Sequence, residues 1–64
     1  MDGIDIKLDN NELVIKGNKE DLLELSKYIN DLALSDNEKD HIHLDDLTIV
    51  SDKSNIKEII IEKV

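Results

Sequence analysis

The 64-residue chain has no cysteine, no arginine, only two glycines and a single aromatic residue, Tyr28. Each absence closes off a class of function. Without cysteine there are no disulfides and no thiolate metal sites. A domain this short buries only about 60% of the surface that its unfolded chain exposes, so its stability is marginal. Dimerisation, partner binding or well-matched packing must make up the difference. Eight lysines against sixteen carboxylates leave a net charge of −8 and no basic stripe. Nucleic-acid binding needs such a stripe to neutralise phosphates, and anionic membrane surfaces attract basic segments, so neither partner is expected. With only Gly3 and Gly17 the chain carries no glycine-rich phosphate loop. Apolar runs reach only three residues, as at Ile59-Ile60-Ile61, far short of a membrane span. Met1-Asp2-Gly3-Ile4-Asp5 has neither the basic nor the apolar region of a secretion signal, so a cytoplasmic location is the default expectation.

What is present is aliphatic and acidic. Ten Ile, nine Leu and three Val supply a two-layer core, and their β-branched share favours strands. The acidic surface suits solubility, and it suits electrostatic steering towards a basic protein partner.

Ile4, Ile6 and Leu8 alternate with Asp5, Lys7 and Asp9, the period of a half-buried strand. Asn10-Asn11 tolerates the positive φ of a two-residue hairpin turn. Pairing Asp9 with Glu12 puts Leu8 opposite Leu13 and Ile6 opposite Ile15, leaving only Val14 on the other face. Gly17-Asn18 then opens a helix, with Asn18 as N-cap and Asp21 placed to answer it in a capping box. The spacing predicts a helix over 19–34 with Leu22, Leu25, Ile29, Leu32 and Ala33 facing inward. A polar loop, 35–40, precedes a return to strand periodicity. Ile42 and Leu44 point one way, and His41, His43 and Asp45 the other. Leu47 and Ile49 fall out of phase with them. Either a β-bulge at Asp45-Asp46 restores phase, placing Leu47 opposite Ile59 and Leu44 opposite Ile61, or the strand stops at Asp46. Residues 51–55 form a turn, and 56–64 the last strand, which is expected to be central or covered on its outer face. The expected architecture is α+β: one domain over 1–64, β-β-α-β-β, with one helix on a four-stranded, mainly antiparallel sheet. Strand order stays open between a β-grasp-like arrangement, with the first and last strands paired, and an all-antiparallel one.

The constellation that could carry chemistry is His41-Ile42-His43-Leu44-Asp45-Asp46, which holds both histidines. Alternation would bring His41, His43 and Asp45 to one face as two imidazoles and a carboxylate, a candidate metal site. The run is similar to the His-x-His-x-Asp-His motif of the metallo-β-lactamase fold, but Asp46 stands where the last histidine would be. That fold also needs a far longer chain. A second reading makes His41, His43, Asp45 and Asp46, with the apolar Val14 and Ile60, a recognition surface on an open sheet face. The third takes the strip as ordinary solvent-side strand residues. Catalysis finds no support elsewhere: Ser26, Ser35, Ser51 and Ser54 have no base at motif spacing. So small a two-layer domain is also expected to lack a deep pocket of the usual size, about 300 Å³ or more. No enzymatic activity and no cofactor are expected.

The segment Gly17-Asn18-Lys19-Glu20, the leucine-striped helix and the His-x-His strand together resemble small bacterial immunity proteins of polymorphic toxin systems, specifically immunity-protein family thirty-two. The resemblance covers about residues 13–64. It implies an antitoxin that binds and masks a cognate toxin effector domain, and it carries over no catalytic residues. An acidic face docking on a basic groove is compatible with that role. The alternatives are a metal-binding protein using His41, His43 and Asp45, and a homodimer whose sheet faces or edges meet.

Overall fold

Asn10 and Asn11 adopt φ of 49° and 69°, both in the left-handed region that a tight hairpin turn demands. The turn joins β1 (Asp5–Asp9) to β2 (Glu12–Lys16) in antiparallel register, with Ile6 opposite Ile15 and Leu8 opposite Leu13. This is the register that alternation predicts. The computed structural model describes residues 3–64; Met1 and Asp2, part of the stretch read for a secretion signal, lie outside the described residues.

Asn18 caps α1 (Lys19–Ala33), its side chain accepting the Asp21 N–H at 2.8 Å, an interaction of about 1 kcal/mol. The reciprocal half of the expected capping box does not form, because neither carboxylate oxygen of Asp21 has a hydrogen-bond partner. The helix ends at Leu34, whose N–H donates to the carbonyl of Asn30. Its inward face is rotated from the expected one. Asp21 and Leu32 are buried and Leu25 and Tyr28 half-buried, whereas Leu22, Ile29 and Ala33 are exposed. Residues 21, 25, 28 and 32 have helical spacing as good as that of 22, 25, 29 and 32, and the buried stripe is the one headed by an aspartate.

After the loop, β3 (His41–Asp45) pairs antiparallel with β4 (Glu58–Glu62). Leu44 stands opposite Ile59 and Ile42 opposite Ile61. No bulge intervenes: the strand stops at Asp45, the second of the two options, and the bulged register is corrected by two residues. The cause is local. Asp45 closes a turn by accepting Leu47 N–H on Oδ1 at 3.0 Å, and its carbonyl accepts N–H from both Thr48 and Val50 at 3.0 Å. Its own N–H donates to Thr48 Oγ1 at 2.9 Å. A bonded turn replaces the extra ladder residue, and Leu47 is left 89% exposed.

The expected four-stranded sheet is corrected to two separate two-stranded sheets, β1-β2 and β3-β4. The free edge of β1 is already taken by residues 49–55. Ile4 N–H donates to the Ile49 carbonyl at 2.8 Å and Ser51 N–H to the Ile4 carbonyl at 2.7 Å, around a parallel bridge between Ile4 and Val50. Two side chains and one backbone amide then continue the edge. Ser54 Oγ accepts Ile6 N–H at 2.8 Å, Asn55 N–H donates to the Ile6 carbonyl at 3.1 Å, and Asn55 Oδ1 accepts Leu8 N–H at 3.1 Å. Ile4, Ile6 and Leu8 thus find partners without a neighbouring strand, which also blocks edge-to-edge pairing there. The first and last strands do not pair, so the β-grasp-like order does not hold; both pairs that form are antiparallel, within two sheets and not one. β4 is not central, and the outward Ile60 is 51% exposed.

The core is small: Ile4, Ile6, Leu44, Ile49 and Val50 are buried together, with Leu25, Tyr28, Ile42, Ile56, Ile59 and Ile61 packed around them. At about 1.5–3 kcal/mol for each fully buried aliphatic side chain, these five residues are the main source of stability. Two of them, Ile49 and Val50, belong to the segment that lines β1 and not to a strand.

Candidate functional site

Two surfaces stand out. The first is the outer face of β3-β4. His41, His43 and Asp45 project there from one strand and Glu62, Ile60 and Glu58 from the other, as cross-strand partners in that order. The two imidazoles meet edge to face, with centroids 5.0 Å apart and planes at 72°. His43 Nδ1 lies 3.2 Å from Glu58 Oε2, both side chains about half exposed. A contact so open to water contributes at most about 1 kcal/mol. Its effect is to hold the imidazole and carboxylate beside Ile60. A hollow of about 330 Å³ adjoins the face between Lys39, His41, Glu62, Lys63 and Val64. Lys63 is held by its Nζ, which donates to the Ser35 carbonyl at 2.9 Å.

Asp45 sits on this face by register but works elsewhere, its Oδ1 bonded to Leu47 N–H in the turn. Among the described residues no group of three or more His, Asp or Glu side chains is placed to hold a metal ion, so His41, His43 and Asp45 are not gathered as ligands.

The second surface is an open cavity of about 700 Å³ between the start of α1 and the loop after β3. Asp5, Asp21, Asp46 and Asp52 line it with Lys16 and Lys53. The cavity is broad and open, so the expectation that so small a domain lacks a deep pocket of about 300 Å³ or more is not overturned by it. The cavity arises because the 46–53 loop passes in front of the helix N-terminus to reach the free edge of β1. Both glycines lie on its wall. Gly3 has φ of +76°, and a Cβ there would stand 2.4 Å from the Ile49 carbonyl oxygen, so close an approach of the two segments requires glycine.

A family model described as Immunity protein 32 matches residues 12–64, more than half of the chain. The chain belongs to the immunity protein 32 family. The match takes in β2, α1, β3 and β4 and leaves β1 outside. Comparison with curated proteins and with solved structures gave no match.

Within this immunity protein the six residues singled out from sequence are divided among three places. His41, His43 and Ile60 share the outer face of β3-β4, and Asp45 joins them by position while its carboxylate serves the turn. Asp46 lies on the cavity wall. Val14 belongs to the other hairpin, opposite Lys7. The residue that sequence reasoning passed over is Asp21, 1% exposed with both oxygens unpartnered. It was read only as a capping group. The signal was its place four residues before Leu25 and seven before Tyr28, on the stripe that turns inward.

Proposed function

We propose that this immunity protein binds and neutralises a cognate bacterial toxin through the outer face of β3-β4 and the acidic loops beside it. Membership of the immunity protein 32 family is the observation that carries the role. The surface is supported by the open position of Ile60, an apolar side chain framed by His41, His43, Glu58 and Glu62. An apolar centre with a polar rim is the usual anatomy of a recognition patch. The net charge of −8 favours a basic toxin surface, such as the groove of a nuclease. Neutralisation of this kind is steric and electrostatic, and no catalytic step is assigned to the immunity protein. The test is inhibition of a candidate toxin effector domain by the purified protein. Stoichiometric loss of that domain's activity is expected; an effector domain that neither binds the protein nor loses activity would contradict the reading.

Self-association is a second reading, favoured by one observation. Leu8 and Leu13 face each other on the hairpin and, with Leu22 and Ile29 on the helix, are exposed. Sedimentation at micromolar concentration decides it: a dimer mass supports self-association and a monomer mass removes it.

A further inference from the structure

Antiparallel pairing leaves every second residue of a strand with its N–H and carbonyl pointing away from the partner strand. In β3-β4 the phase is fixed by Lys63, whose N–H donates to the Asp40 carbonyl at 2.9 Å. Alternation along the register then makes Ile42-Ile61 and Leu44-Ile59 the bonded pairs. His41, His43 and Asp45 on one strand, and Glu58, Ile60 and Glu62 on the other, turn their backbone groups outwards. The two edges that result are unlike. On β3 the edge is closed at both ends: His41 N–H donates to Asp40 Oδ1 at 2.8 Å and Asp45 N–H to Thr48 Oγ1 at 2.9 Å. The Asp45 carbonyl is taken by Thr48 and Val50. On β4 the N–H and carbonyl groups of Glu58, Ile60 and Glu62 have no hydrogen-bond partner among the described residues, and all three residues are exposed. A bare row of this kind is a template for another strand.

Resting on the toxin-binding reading above, we infer that the toxin docks by adding an extended segment to the free edge of β4. Backbone pairing holds the segment, and the side chains of Glu58, Ile60 and Glu62 select it. Those three side chains share the outer face, so the segment is read at alternate positions. Opposite neighbours on one face interact in pairs, which calls for a basic residue beside each glutamate and an apolar one beside Ile60. The occupant is therefore a basic–x–apolar–x–basic stretch of the toxin. A second copy of this chain fits worse. Pairing β4 with itself about a two-fold axis at Ile60 sets Glu58 opposite Glu62 twice, between chains of net charge −8. β2 has an open edge too, since Ile6 and Leu8 bond on the far side of that hairpin, but within β2 only Leu13 and Ile15 point out from it. Its ends, Glu12 and Lys16, carry opposite signs and select no charge.

Amide exchange of the ¹⁵N-labelled chain, alone and with the effector domain that the inhibition test identifies, reads the edge directly. Exchange at Glu58, Ile60 and Glu62 should slow at least tenfold in the complex. Unchanged exchange at all three would overturn the added strand and leave neutralisation standing. Slowing that follows the concentration of the chain alone would assign the edge to a second copy and overturn the occupant. Ile60→Pro removes one outward N–H without touching the ladder to β3, and proline is tolerated at such edge positions. It should bind at least tenfold more weakly than Ile60→Ala, which loses the side chain but keeps the amide; equal affinity would overturn backbone pairing. If urea unfolding shows that Ile60→Pro does not fold, exchange in the wild-type complex decides alone. Titration with the end-blocked peptide Lys-Thr-Val-Thr-Lys needs no toxin. Saturable shifts at the same three amides are expected, and none with Glu-Thr-Val-Thr-Glu. Equal shifts from both peptides, or none from either, would overturn the selection, and this titration still reports on the edge if no effector domain binds and the neutralising role falls.

Discussion

Ser54 and Asp21 show how much of this small protein depends on single polar atoms. Ser54 is buried, and its hydroxyl accepts the Ile6 N–H at 2.8 Å while donating to the Ile4 carbonyl at 3.3 Å, doing for β1 what a strand would do. Ser54→Ala leaves the Ile6 N–H buried and unpaired, and a loss of about 1–3 kcal/mol is expected in urea unfolding. An unchanged midpoint would mean that water or a shifted backbone replaces the hydroxyl. Asp21 has the opposite sign. An amide there gives up a favourable interaction with the helix dipole, about 0.3–1 kcal/mol, but removes the cost of a buried carboxylate that has no hydrogen-bond partner. Asp21→Asn is therefore expected to raise stability by about 1 kcal/mol in the isolated protein. A fall would show that the carboxylate is satisfied within the fold.

The two hairpins differ in how far sequence could describe them. In β1-β2 the alternation of Ile6 and Leu8 with charged residues, the Asn10-Asn11 turn and the partners Leu13 and Ile15 all demand one register, so that hairpin was legible to the residue. In β3-β4 the pattern of Ile42 and Leu44 was equally clear, and the placement of His41 and His43 on one outer face followed from it. The choice left open lay at Asp45-Asp46, where periodicity sees only polar residues, and the side-chain bonds from Asp45 to Leu47 and Thr48 that end the strand leave no periodic trace. The same blindness hid the edge made by Ser54 and Asn55, and with it the split into two sheets. Helix rotation was missed for a different reason: two stripes of similar spacing compete on α1, and hydrophobicity alone favours the one that does not carry Asp21. The corrected register has a direct check. Leu47→Glu should change stability by no more than about 0.5 kcal/mol, since Leu47 lies outside the ladder. A loss of 2 kcal/mol or more in urea unfolding would restore the bulged register, which buries Leu47 against Ile59.

For the whole molecule, a core of five buried aliphatics and a net charge of −8 describe a domain that spends little of its surface on itself. No helix among the described residues is long and apolar enough to cross a membrane. Among the described residues the exposed surface mixes carboxylates with eleven large apolar side chains, of which Ile60 lies at the centre of the histidine-bearing face. Association with a basic toxin should accordingly be fast at low ionic strength and slow as salt screens the field, over a distance of about 10 Å at 0.1 M. Salt alone cannot say which face docks. The decisive measurement is the dissociation constant of the effector domain that the inhibition test identifies for wild type, Ile60→Lys and the control Lys27→Ala, whose site lies exposed on α1. Docking through β3-β4 predicts that Ile60→Lys weakens binding at least tenfold with an unchanged unfolding midpoint, and that Lys27→Ala binds as wild type does. Equal affinity for all three proteins would contradict it.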